Sequence, residues 1–151
     1  MSFAQCILNY GEGMPPNLEK RNMNTKQQGD IGVAKAIYYY TVSGFIVSIP
    51  NTDNSRYDLV VDKGVGLQKV QVKTTTFKSK YGVYEVGLKT CGGNSSWSGV
   101  SKKLSKEEID TLFVLTQDGD MYEFPPEVFD GRGRLNLGKD RDIYKVGLNR
   151  W

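Results

Sequence analysis

The sequence predicts an α/β sandwich with a mixed central β-sheet flanked by helices, and three observations carry that expectation. Apolar residues recur at helical spacing after Thr25, two runs of strand composition follow on either side of a glycine turn at 63–66, and further strands and a short helix complete the chain. The order helix, strand, hairpin, strands, helix implies helices packed on a sheet.

Residues 1–23 mix Pro15 and Pro16 with scattered apolar and polar residues and read as an arm or extension ahead of a single domain at 24–151. Thr25-Lys26-Gln27-Gln28 reads as a capping box, and Ile31, Ala34 and Tyr38, with Val33, Ile37 and Tyr40 beside them, mark the helix that follows. Gly44 suits its stop, and Phe45 to Ser48 is a short strand ended by Pro50. Arg56 to Asp62 and Leu67 to Thr76 form a hairpin, the second strand carrying Val70 and Val72 on one face and Lys69, Gln71 and Lys73 on the other. A third strand, Tyr81 to Lys89, leads into a loop rich in Gly, Ser and Asn around Trp97. Ser105 to Glu108 caps a short helix, and Thr111 to Thr116 is a buried strand. Gln117 to Asp120 is a hairpin turn, Met121 to Phe124 the return strand, and Pro125-Pro126-Glu127 opens a last short helix.

Composition narrows the chemistry. At 151 residues the chain fits one domain, so binding and catalysis must share one scaffold. No apolar run reaches the roughly 20 residues of a membrane span, and the N-terminus lacks a basic region followed by an apolar one. Two cysteines, Cys6 and Cys91, are too few for a disulfide framework or a closed zinc site, and a reducing cytoplasm is the simplest setting. The absence of histidine removes every mechanism that needs an imidazole, leaving carboxylates, amides, lysines and a hard metal. Residues 63–106 hold nine lysines against the single acid Glu85, which reads either as a phosphate-binding face or as a solvated surface.

Asp58 lies near the start of one hairpin strand, and Gln71 and Lys73, two apart on the next, share a face. A suitable register would group a carboxylate, an amide oxygen and an ammonium within a few ångströms. Such a group can hold Mg²⁺ (or Mn²⁺) with a substrate phosphate and stabilise charge on that phosphate. The bland alternative is that Gln71 and Lys73 are the polar half of an amphipathic strand and Asp58 caps its neighbour.

The run Gly29-Asp30-Ile31-Gly32, Ser43-Gly44-Phe45, Asn54 to Val61, then Val70-Gln71-Val72-Lys73-Thr74 resembles the PD-(D/E)XK endonuclease superfamily. Within it, the sequence looks most like the bacterial group I intron-encoded homing endonuclease of restriction-enzyme fold, over residues 24 to about 130. The resemblance implies a restriction-endonuclease-like core and a metal-dependent nuclease in which Asp58 is the first acid and Lys73 the lysine. Gln71 departs from the pattern's Asp or Glu, which removes one negative charge from the metal site. Relatives often add an acid on the first helix. Asp30 is the candidate here for a catalytic and metal-binding role, and it is equally a first-turn residue favoured by the helix dipole.

The expected partner is double-stranded DNA. Lys78, Lys80, Tyr81, Tyr84 and Lys89 on extended backbone, then Asn94, Ser95, Trp97, Lys102 and Lys103, form the expected recognition region, since a two-stranded ribbon fits the major groove. Arg132, Arg134, Lys139 and Arg141 make a second basic segment, broken by Asp130, Asp140 and Asp142, that reads equally as a surface loop or a subunit contact. Cutting both strands with one site per chain calls for a homo-oligomer, a dimer at least and with room for a tetramer. The competing functions are a junction-resolving or repair nuclease of the same fold and a sequence-specific DNA-binding protein that does not cut.

Overall fold

The computed structural model describes residues 23–52, 55–91 and 101–147. The first helix, α1 (Thr25–Val42), starts one residue earlier than the Thr25 capping box predicts. Asn24 is the N-cap, its side chain accepting from the Gln27 N–H at 2.9 Å while the Gln27 side chain accepts from the Asn24 N–H at 3.1 Å. Gly44 stops it as expected, in the left-handed region at φ 83°. The face it buries is rotated from the sequence pattern. Gly32, Ala36, Tyr39 and Tyr40 point inward, whereas Ile31 and Tyr38 are 44% and 47% exposed. The helix is apolar on more than one side, so periodicity alone does not select which stripe meets the sheet.

Six strands make the main sheet in the order β1 (Ile46–Ser48), β2 (Leu59–Asp62), β3 (Leu67–Thr75), β7 (Thr111–Thr116), β8 (Met121–Phe124) and β10 (Lys145–Val146). The β3–β7 pair is parallel and the others antiparallel, so the sheet is mixed as the sequence predicts. Every residue of β7 is buried, the signature of a central strand covered on both faces.

Two cores lie on the two faces. On one, Ala36, Tyr39 and Tyr40 of α1 pack on Leu59, Val61, Val70, Val72 and Phe113. A polar cluster closes its edge, where the Tyr40 hydroxyl donates to Glu123 at 2.7 Å and Lys63 pairs with the same carboxylate at 2.8 Å. Burial, reinforced by Glu123, raises the Tyr39 phenol to about 12 and pushes the Tyr40 phenol well above the ordinary tyrosine range, so both stay protonated donors.

The second core is built on Leu112, Val114, Tyr122 and Phe124. Over it lie two ribbons, β4 (Tyr84–Gly87) paired with β9 (Arg134–Leu137) and β5 (Lys89–Cys91) paired with β6 (Ser101–Lys103), with the short helix α2 (Pro126–Phe129). The expected third strand is therefore split between two small sheets outside the main one. Ser105 to Glu108 forms a single turn in place of the expected helix, held by the Asp130 carboxylate on the Lys106 N–H at 3.0 Å. A 3₁₀ helix at Lys139–Tyr144 precedes β10.

Candidate active site

The β2–β3 register decides what meets in space. Leu59 stands opposite Val70, and the Asp58 N–H donates to the Val70 carbonyl at 2.9 Å. That register brings the Asp58 carboxylate over β3. Its Oδ2 accepts from Gln71 Nε2 at 2.6 Å and from the Val72 N–H at 2.7 Å, and neither bond uses Oδ1. Alternation along β3 sends Val70 and Val72 to the α1 side, and Gln71 and Lys73 to the face on which Leu112 and Val114 of β7 also project.

Burial dominates the electrostatics of Asp58 and pushes its carboxyl above the ordinary range. The Val72 N–H, the Lys73 charge and the Gln71 amide pull the other way without cancelling the effect. Lys73 therefore compensates the carboxylate in part, and less than burial costs it. Lys73 donates to the Lys89 carbonyl at 3.3 Å, which ties the site to the start of the β5–β6 ribbon.

The donor set suits a hard cation. Gln71 Nε2 bridges two oxygens, Asp58 Oδ2 and the Val72 carbonyl, at 2.6 and 3.2 Å, so a group of partial positive charge already sits between them. Asp58, the Val72 carbonyl and the oxygen of a reoriented Gln71 amide are the ligands Mg²⁺ or Mn²⁺ takes. No cluster of three or more carboxylates, imidazoles or thiolates that could hold a metal occurs among the described residues, and the oxygens nearest Asp58 Oδ2 through Gln71 are the neutral ones of the amide and the Val72 carbonyl.

A sequence profile of PD-(D/E)XK endonucleases matches residues 23–137. This chain belongs to the PD-(D/E)XK endonuclease family. Among solved structures it is similar to the bacterial homing endonuclease I-Ssp6803I, with 30% sequence identity and a TM-score of 0.66 over 78% of this chain and 80% of that one. A comparison with curated proteins gave no match.

In this PD-(D/E)XK endonuclease the expected site residues divide by position. Asp58, Gln71 and Lys73 converge as the hairpin reading required. Asp30 does not lie on their side. It is exposed on α1, about 200° around the helix from Gly32, which faces Thr74, and α1 covers the opposite face of β3.

Lys89, Lys102 and Lys103 are exposed on the β5–β6 ribbon, with Lys89 opposite Lys103. Tyr81 is 78% exposed with Lys80 at 5.0 Å from its ring, and Lys78 pairs with Asp118 at 2.9 Å. Tyr84 needs correction: it is only 8% exposed and belongs to the second core, under the Lys78 ammonium at 4.4 Å, because its strand turns that side chain toward β9 and β7. Asn94, Ser95 and Trp97 lie outside the described residues. The feature missed in the sequence is β9. Arg134-Leu135-Asn136-Leu137 alternates polar and apolar residues, a period-2 signal short enough to pass for a basic loop.

Proposed function

We propose that this protein is a metal-dependent homing endonuclease that hydrolyses double-stranded DNA at a specific site, acting as a homo-oligomer and promoting intron mobility. The observation that carries the proposal is the convergence of Asp58, Gln71 and Lys73 on one face of the β2–β3 hairpin in a chain of this nuclease family. Asp58, Gln71 and the Val72 carbonyl would hold Mg²⁺ or Mn²⁺, which when bound polarises the phosphate and lowers the pKa of a coordinated water.

The chain's own residues do the rest. Gln71 and the Val72 N–H fix the orientation of Asp58. Lys73 carries the positive charge that meets negative charge building on the scissile phosphate. Lys89 and Lys103 face each other across the ribbon, a like-charge pairing that is unfavourable in isolation and is relieved by a polyanion. DNA backbone is the polyanion this surface suits, and the ribbon joins the site through the Lys73–Lys89 contact. Asp30 is left out of the proposed set because α1 covers the other face of β3.

One observation favours a second reading. A buried neutral amide at 71 stands where the family pattern has an acid, as in a DNA-binding protein that has lost cleavage. The deciding experiment incubates a randomised duplex library and a branched DNA with wild-type protein, Asp58→Ala and Lys73→Ala, with and without Mg²⁺, following binding in parallel. Metal-dependent cutting of plain duplex at one long site, lost in both variants while binding persists, is the expected result. Preference for branched DNA would indicate a junction-resolving enzyme, and tight binding without cleavage under any divalent metal would establish the non-catalytic reading.

A further inference from the structure

The second basic segment is a built element. Leu135 and Leu137 of β9 point into the core at 3% and 8% exposure, so alternation turns Arg134 and Asn136 outward on the other face. Arg132 lies one further two-residue step back along the chain. A cleft of about 430 Å³ runs beside these three residues, with Tyr81 on its wall. Their polar groups are available to a ligand. Arg134 remains 72% exposed while Glu85 across the ribbon holds its guanidinium at 2.9 Å, and Arg132 has no ion-pair partner among the described residues.

This strand is also continuous with the active site. The Leu88 N–H donates to the Gly133 carbonyl at 3.0 Å, a Cβ at position 133 would lie 3.9 Å from the Lys89 side chain, and the Lys89 carbonyl is the acceptor for Lys73.

We propose that β9 is the base-reading strand of this nuclease, with Arg134 and Asn136 contacting base edges in the major groove two base pairs apart and Arg132 on the adjoining phosphate. The inference rests on the DNA endonuclease reading above and adds which residues set its specificity. Three chemical facts lead to it. A two-stranded ribbon such as β4–β9 fits the major groove, where arginine reads the O6 and N7 of guanine and asparagine reads the N6 and N7 of adenine, each with two hydrogen bonds. Alternate residues on a strand stand about 6.7 Å apart. Two base steps of B-form DNA span about 6.8 Å, so neighbouring outward side chains match alternate base pairs. Glu85 serves as a positioning residue that presents the Arg134 fork in one orientation before DNA arrives.

The test uses the full chain and a randomised duplex library, sequencing the bound pool without divalent metal and the cut pool with Mg²⁺ for wild type, Arg134→Ala, Asn136→Ala and Arg132→Ala. Arg134→Ala and Asn136→Ala are each expected to erase preference at one base pair, the two positions lying two steps apart, with discrimination there falling about 5- to 150-fold. Arg132→Ala should weaken binding evenly across sequences and lower the salt dependence by about one phosphate contact. Melting midpoints check folding, since Arg134→Ala also leaves the largely covered Glu85 carboxylate without this partner. Variant pools that keep the wild-type preferences overturn the assignment of β9 while leaving the endonuclease reading intact. A wild type that binds selectively and never cuts overturns the endonuclease reading, and β9 is then judged on the bound pool alone.

Discussion

The position of Asp58 is a cost to the stability of the fold, as expected of a residue placed for the proposed chemistry. Because burial raises its folded carboxyl above the unfolded value of 3.8, the folded state binds the proton more tightly, and the ionised form is a penalty at neutral pH. That penalty is fully present above the raised folded value and is relieved as pH falls through it toward 3.8. Asp58→Asn, which keeps an oxygen for the Val72 N–H, should therefore melt at or above the wild-type temperature at pH 7 while losing cleavage, and its advantage should shrink on acidification. A scan of melting temperature against pH for both proteins checks this, and a wild type more stable than the variant throughout would contradict it. Gln71→Glu should act in the opposite direction. A second carboxylate against Asp58 raises repulsion in the metal-free protein and adds a charged ligand, so the variant should melt lower without Mg²⁺ and gain more from Mg²⁺ than wild type does. Calorimetry across a magnesium titration measures both effects. Lys73→Ala should bind duplex and cut it about 10²–10³-fold more slowly, as removal of one transition-state charge partner does elsewhere; single-turnover cleavage reads it.

At the scale of elements, the hairpin and helix α1 are joined at one close approach. A Cβ at Gly32 would run into Thr74 Oγ1 and come within 3.3 Å of Val72, so only glycine lets the helix lie this near β3. Gly32→Ala should improve helix propensity by about 1 kcal/mol. The overpacking costs about 1–3 kcal/mol, so the net effect should be loss of stability. Adding Thr74→Ala should restore much of that loss, because Thr74 Oγ1 has no hydrogen-bond partner to forfeit. Denaturant titrations of the single and double variants test the coupling.

The same two elements show what the sequence makes legible. Period-2 alternation on β3 puts Gln71 and Lys73 on one face and the short glycine turn sets β2 beside it, but the register that brings Asp58 to them, with Leu59 opposite Val70, is read from the structure. Helix α1 was legible in extent but not in orientation, because Ile31 and Tyr38 are as apolar as the residues it buries. The split of the third strand and the role of β9 were not legible. Both depend on the pairing of β4 with β9, residues about 50 positions apart as in Tyr84 with Leu137, and the split depends also on the pairing of Lys89 with Lys103; no local pattern encodes such partners.

At the scale of the molecule, one chain carries one convergent site, whereas a duplex has two phosphodiester strands to cut. If the active species is a homo-oligomer with one site committed to each strand, the two cuts are chemically independent but share one bound complex. Mixing wild-type protein with an excess of Lys73→Ala subunits, refolded together so that they exchange, should then convert a supercoiled target into nicked circles that persist. Each mixed assembly retains one competent Lys73 and cuts one strand. Linear product should fall with the square of the wild-type fraction in a dimer, while total cutting falls in proportion to it. Gel analysis of supercoiled, nicked and linear DNA across the mixing series gives both curves. If linear product instead falls in simple proportion, each chain cuts both strands in turn, and the requirement for a second copy is removed.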